Sequence, residues 1–129
     1  MRKKRVFVVD DDPGMLEAVR AVLSPEGFEV EGETNSTQAL TAILREVPDV
    51  LVLDVSMPEM SGWELCDILR RQSRTRAVPI LFLTGRSELR DKITAMQVGG
   101  TDHLAKPFRA EELRERVRAL AKRPPERAG

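Results

Sequence analysis

Three consecutive aspartates, Asp10-Asp11-Asp12, follow the apolar run Val6-Phe7-Val8-Val9, and a fourth, Asp54, follows a second run, Val50-Leu51-Val52-Leu53. Thr84 ends a third run, Ile80-Leu81-Phe82-Leu83, and Lys106 follows a weaker one, His103-Leu104-Ala105. Short apolar runs that stop at polar residues read as buried strands whose ends meet along one edge of a sheet. Carboxylates gathered there repel one another, by roughly 4 kcal/mol for two unit charges about 4 Å apart at an effective dielectric of about 20. Raised pKa values, the Lys106 ammonium or a divalent cation must compensate. Carboxylate oxygens with room for water suit Mg²⁺, which keeps much of its hydration and takes phosphate oxygens as further ligands. A carboxylate, a hydroxyl and a lysine beside such an ion are equipped for phosphoryl transfer, and the carboxylate can be the nucleophile that forms an aspartyl-phosphate.

The elements that must position these groups alternate along the chain. Phe28-Glu29-Val30-Glu31 alternates apolar and acidic residues and reads as a strand with one wetter face, near an edge. Helical stripes fill the gaps: Met15, Val19, Val22 and Leu23; Leu40, Ile43, Leu44 and Val47; Leu65, Ile68 and Leu69; Leu89, Ile93 and Met96; Leu113, Val117 and Leu120. Asp12-Pro13 opens the first helix as N-cap and first helical residue, and Ser61-Gly62-Trp63-Glu64 has the form of a capping box. Strand–helix repeated five times predicts an α/β fold, a flavodoxin-like (βα)5 doubly wound parallel sheet of order 2-1-3-4-5, with its ligand site at the carboxyl ends of the strands.

At 129 residues with 41% apolar content the chain suits one globular domain, placed at residues 1–123, with the polar stretch 124–129 as a tail or linker stub. A lone cysteine, Cys66, excludes an internal disulfide, no run reaches the length of a membrane span, and the N-terminus does not resemble a signal peptide. A cytoplasmic protein is the expectation. Its formal net charge of zero conceals segregation: residues 26–67 carry ten acidic groups against one basic, whereas residues 68–129 carry fifteen basic against seven acidic. Nucleic-acid binding through that basic half lacks interleaved aromatics and a recognisable motif.

The ordered set Val8-Val9-Asp10-Asp11, Asp54-Val55-Ser56-Met57-Pro58, Gly62, Thr84 and Lys106-Pro107 resembles the receiver domains of two-component response regulators, over residues 5 to about 122. The resemblance implies that Asp54 accepts a phosphoryl group from the phosphohistidine of a sensor histidine kinase or phosphotransfer protein. It implies Mg²⁺ (or Mn²⁺) held directly by Asp11, Asp54 and the Ser56 carbonyl, and by Asp10 mainly through water. Thr84 and Lys106 would bind phosphoryl oxygens, and Thr84 with His103 would form the switch. Pro58, Gly62 and Pro107 would shape the loops, with a cis peptide before Pro107, while Ser56 and Arg86 tune phosphoryl lifetime. The output would be a changed face on the fourth helix, fifth strand and fifth helix, offered to an output domain, an effector or a second copy. Arg86, Arg90, Lys92, Arg114 and Arg118, interspersed with Glu88, Asp91, Glu111, Glu112 and Glu115, would give a mixed-charge pairing there. No membrane and no direct nucleic-acid contact is implied, and no enzymatic activity beyond assistance to its own phosphorylation and autodephosphorylation.

Ordinary readings exist beside these. Asp54 could begin a turn, Thr84 could be a strand-end hydroxyl, Lys106 a solvated loop lysine and His103 an edge-strand residue; Trp63 and Cys66 read as helix packing. Asp10 and Asp11 have no such account, since one N-cap needs only Asp12. Asp-x-Asp followed by Thr and Lys also fits a haloacid dehalogenase-like phosphatase. That enzyme would need a nucleophile on strand one and a second acidic pair at a strand end after the lysine. A receiver-like module that works without phosphorylation would have lost Asp54, Lys106 or the acidic pair, and all are present.

Overall fold

In the computed structural model, residues 2–85, 93–94 and 96–122 are described. Five parallel strands run β1 (Arg5–Val9), β2 (Glu29–Glu33), β3 (Val50–Asp54), β4 (Ile80–Thr84) and β5 (Asp102–Ala105), in the order β2-β1-β3-β4-β5. The helices are α1 (Pro13–Leu23), with a short 3₁₀ turn after it (Ser24–Glu26), α2 (Ser36–Arg45), α3 (Gly62–Arg70) and a C-terminal helix (Ala110–Ala121). Residues 93–94 and 96–97 are also helical. The expected five-stranded, doubly wound sheet is therefore what forms. The rest of the predicted fourth helix, including Leu89, lies outside the described residues, as do Arg86, Glu88, Arg90, Asp91, Lys92 and the tail 124–129.

Continuous apolar runs become strands here because both faces of the central strands are covered. β1, β3 and β4 are buried at every residue. Alternate side chains feed two separate cores. Phe7, Val9, Leu51, Leu53, Ile80 and Phe82 pack with α2 and α3, while Val6, Val8, Val50, Val52, Leu81 and Leu83 pack with α1 and the C-terminal helix. Trp63 and Cys66 belong to the first core, and the Trp63 ring meets Phe82 edge-on with centroids 4.4 Å apart. The outer strand β2 is only partly covered, as its alternation predicts, and its glutamates keep that open edge from pairing with another chain.

Several details depart from the pattern read along the chain. β1 starts at Arg5, not Val6, and the Arg5 side chain is buried; its guanidinium donates to Glu31 and to the carbonyls of Glu46 and Val47. β2 runs two residues further than its apolar alternation, to Glu33, because parallel pairing with β1 continues to Val9. Ile93 and Met96, expected on a core-facing stripe, are exposed at 46% and 78%. Val98 makes the inward contact instead: it packs on the first core, its carbonyl accepts from Cys66 Sγ, and its N–H reaches the Thr94 carbonyl. At about 100° per residue, Val98 lies opposite Ile93 and Met96, so a helix anchored through it turns them outward.

Gly62 opens α3 directly beneath the end of β3. A Cβ placed on it would lie 2.2 Å from the Asp54 carbonyl oxygen and 3.0 Å from the Asp54 carbonyl carbon, with backbone on both sides of the contact. Gly62→Ala should therefore cost about 1–3 kcal/mol, the usual range for inserting an atom where the backbone must yield. A lowered urea midpoint would register this; an unchanged midpoint would mean that the Asp54 peptide moves without cost.

Candidate functional site

Register brings the polar strand ends together. Val9 lies opposite Leu53, so Asp10 comes level with Asp54; Asp54 lies opposite Leu83; Thr84 lies opposite Ala105, one residue before Lys106. Asp10 is fully buried, Asp54 and Thr84 nearly so, and Asp11 is exposed at the rim. Lys106 Nζ donates to Asp10 Oδ2 at 2.9 Å and to Asp54 Oδ1 at 3.2 Å, and its backbone N–H reaches the Thr84 carbonyl at 2.6 Å. One ammonium thus joins the ends of three strands.

The acidic run divides its labour along the chain. Asp12 caps α1 by accepting from the Gly14 N–H, as the motif with Pro13 predicts. Asp10 Oδ1 accepts from the Asp12 N–H at 3.0 Å, which fixes the carboxylate toward the interior. Oxygens of Asp10, Asp11 and Asp54 lie within 4.8 Å of one another. Ligands of an octahedral Mg²⁺ stand about 3–4 Å apart when each bond is about 2.1 Å, so this donor set fits a small hard cation after slight inward movement. Three carboxylates less one ammonium also leave a charge that a dication would cancel.

Electrostatics agrees with the geometry. Burial first, then the neighbouring Asp10 charge, pushes the Asp54 carboxyl up to about 6, against the opposing pull of Lys106. For Lys106, burial alone would lower the pKa. Its hydrogen bond to Asp10 and the charges of Asp54 and Asp10 outweigh that and hold it above the ordinary value. The Cys66 thiol, by contrast, is pushed by burial up to about 11, which leaves it protonated and unreactive at neutral pH.

Around this centre the remaining residues fall as follows. Ser56 is exposed in the loop beyond β3, Met57 packs into the first core and anchors that loop, and Pro58 is exposed. The Lys106–Pro107 peptide is cis. His103 is half-buried on β5 opposite Phe82, and residues paired across parallel strands share a face, so it lies on the same side as Thr84. A Cβ at Gly85 would meet nothing within 4 Å among the described residues. Arg86 lies outside the described residues. Glu111 and Glu112 sit in the first turn of the C-terminal helix, where Glu112 accepts from the Arg109 N–H, so the strand-end acidic pair of a phosphatase is not formed by them.

One feature of the rim was not read from the sequence. Asn35 caps α2 through its Oδ1 and donates through Nδ2 to Glu59 Oε2 at 3.3 Å, tying the β2–α2 loop to the loop after Pro58. Glu59 holds φ at 70°, a conformation that suits glycine or asparagine better. The Asn35-Ser36-Thr37 run was the available signal for that cap.

Comparison with known proteins bears on the whole of this arrangement. A family described as "Response regulator receiver domain" matches residues 6–118. The chain is 39% identical over 123 residues to the transcriptional regulatory protein CreB of Escherichia coli, covering 95% of this chain and 53% of that protein. It thus spans about half the length of the curated relatives it matches. Among solved structures it is similar to the chemotaxis response regulator CheY4 of Vibrio cholerae, at 33% identity and a TM-score of 0.88, covering 92% of this chain and 99% of that one. It is also similar to the receiver domain of the sensor histidine kinase PA1611 from Pseudomonas aeruginosa, which carries magnesium in its active-site cleft; identity is 27%, the TM-score 0.86, and coverage 95% and 100%. A family match over nearly the full chain, laid on a sheet whose polar strand ends converge, places this protein among the response regulator receiver domains.

Proposed function

We propose that Asp54 is the phosphoacceptor of this receiver domain and that its phosphorylation switches a docking face. The observation that carries the reading is the Lys106 ammonium shared by Asp10 and Asp54 in a three-carboxylate cluster at the strand ends. Asp10, Asp11, Asp54 and the Ser56 carbonyl are the groups that would hold Mg²⁺ (or Mn²⁺), which when bound would neutralise charge on the phosphoryl oxygens. An Asp54 carboxylate oxygen attacks the phosphorus of a phosphohistidine; the O–P bond forms as the P–N bond breaks, and the electron pair stays on the imidazole. Lys106 holds Asp54 for that attack and then follows the new charge. The partner in this step is a sensor histidine kinase or phosphotransfer protein, and loss of the phosphoryl group proceeds in the same pocket.

The phosphoryl group adds about −1.5 to −2 charge. Thr84, nearly buried beside it, turns its hydroxyl toward the phosphoryl oxygens, and His103 on the same face moves into the space released. Moving an equilibrium from about 1:99 to 99:1 needs roughly 5.5 kcal/mol, within reach of a few charge-assisted hydrogen bonds of about 1.5–3 kcal/mol each. The face so changed comprises residues 93–94 and 96–97, β5 and the C-terminal helix. It presents exposed Ile93 and Met96 beside a groove of about 680 Å³ lined by Met96, His103, Glu112 and Arg116. Arg118 is already paired with Glu26 and Arg116 with Asp102, so apolar contact through Met96 contributes more to pairing than an all-charge interface would. Residues 1–123 act as the receiver unit, in the cytoplasm, and serve an output domain or effector like those of the relatives about twice this length.

Three outcomes test the reading. With Mg²⁺ and acetyl phosphate, intact mass should show one labile phosphoryl group on the wild type and none on Asp54→Asn; equal labelling of the variant would refute the assignment of Asp54.

Stability should follow the Asp54 titration. A carboxyl raised in the folded state keeps its proton where the unfolded chain has lost it, so the fold loses stability as pH rises from about 4 to about 6 and carries the full cost above. In Mg²⁺-free buffer at pH 8, Asp54→Asn should be more stable than wild type by about 1–2 kcal/mol, after allowance for solvent screening, and the gain should vanish near pH 4. Urea unfolding across that range decides it, and a gain independent of pH would remove the electrostatic explanation.

Beryllofluoride, which mimics the phosphoryl group, should raise the dimer fraction in sedimentation, and Met96→Asp should abolish the rise. Ionic strength near 1 M, where the Debye length is about 3 Å, should weaken it only in part. Dimerisation unaffected by Met96→Asp would move the interface elsewhere.

A further inference from the structure

A second concavity, of about 700 Å³, opens at the opposite end of the sheet from Asp54, where the strands begin. Lys4, Arg70, Arg74 and Arg76 line it, together with a single carboxylate among the described residues, Asp49. That carboxylate is committed: its Oδ2 accepts from the Arg5 backbone N–H at 2.7 Å and faces Arg2 at 3.8 Å. Three of the four cations have a structural duty. Lys4 donates to the Ala121 carbonyl, Arg74 to the Leu44 carbonyl, and Arg70 to the carbonyls of Gly99, Thr75 and Arg76. Those bonds explain why cations stand at the ends of helices, but for Lys4 and Arg74 the carbonyl is a dipole and cancels no charge. Arg76 is exposed and has no ion-pair partner among the described residues.

We propose that this basic cavity binds a small, multiply charged oxyanion of the pyrophosphate class, at a site separate from the phosphoacceptor pocket. Its size lies within the roughly 300–1,000 Å³ of small-ligand sites. Guanidinium groups suit the ligand because their donors match paired oxyanion oxygens. Arg70 and Arg74 are already held by backbone carbonyls, so less side-chain freedom is lost when an anion arrives. Ser73 and Thr101 line the same space and add hydroxyls, while Val78 and Pro79 give it an apolar wall. A second phosphoryl-sized charge separates this ligand from chloride: one monovalent ion offsets only part of the charge of Lys4, Arg74 and Arg76.

The test is titration of the intact chain with inorganic pyrophosphate in EDTA, so that no divalent cation bridges the anion to the acidic pocket, read by amide shifts. Saturable shifts are expected at Ser73, Ala77 and Thr101, with the amides of Asp10, Asp11 and Asp54 unmoved. Arg76→Glu, at an exposed position that leaves the core intact, should weaken binding at least about tenfold, and Arg76→Gln should weaken it less. The proposal is overturned by shifts that do not saturate, by equal shifts with chloride at matched ionic strength, or by affinity undiminished in Arg76→Glu. It is equally overturned if a glutamate-rich peptide saturates the site while pyrophosphate does not, because the cavity would then be a docking surface for an acidic segment.

Discussion

The Lys106 ammonium between Asp10 and Asp54 is the contact on which the rest of this architecture converges. Two carboxylates that are nearly inaccessible to water cannot share a strand edge unopposed, and a single cation at 2.9 and 3.2 Å holds both. The compensation is incomplete. Burial still holds the Asp54 carboxyl up at about 6, above an ordinary aspartate, which means that its ionised form is under-solvated. An under-solvated carboxylate facing a nearby acid and a lysine is poised to take up a compensating positive charge, whether a cation or a proton.

That poise depends on main-chain geometry more than on the site's own side chains. Asp10 reaches Asp54 because β1 and β3 are paired in parallel with Val9 against Leu53, and Lys106 reaches both because β4 lies between β3 and β5. A slip of one residue in any of these pairings would turn the polar group to the other face. The fully buried strands β1, β3 and β4 resist such a slip, since each would expose one core and overfill the other. Gly62 seals the same place from below, where α3 starts against the Asp54 carbonyl with no room for a side chain.

Much of this was legible in the sequence, and for a physical reason. Strands covered on both faces must be continuously apolar, so the point where each run stops marks a strand end, and in a parallel sheet with right-handed crossovers those ends share an edge. Asp10, Asp11, Asp54, Thr84 and Lys106 could be placed together on that basis. What stayed hidden depends on direction around an element or on a single long-range pair. Ile93 and Met96 have helical spacing, but spacing alone does not say which side carries the stripe, and Val98 decides it by packing inward. Arg5 reads as the last of a basic run, and only the pairing of β1 with β2 shows that its guanidinium is taken up by Glu31 and two carbonyls. The Asn35–Glu59 bond joins two loops 24 residues apart and has no local signature.

The net charge of zero conceals a local preference at each end of the sheet, and the fold favours it. In a parallel α/β layer every helix runs back against the strands, so helix N-termini gather at the carboxyl ends of the strands and helix C-termini at the other end. The positive ends of the peptide dipoles therefore lie beside Asp10, Asp11 and Asp54, with α1 opening at Asp12 and α3 at Ser61, and they favour carboxylates there. The negative ends lie at the far pole, where Lys4, Arg70 and Arg74 sit on terminal carbonyls of three different segments. Charge of the wrong sign at either pole would oppose both the dipoles and its neighbours. The same polarity that favours carboxylates beside the helix N-termini thus favours cations beside the helix C-termini, in a chain that is neutral in sum.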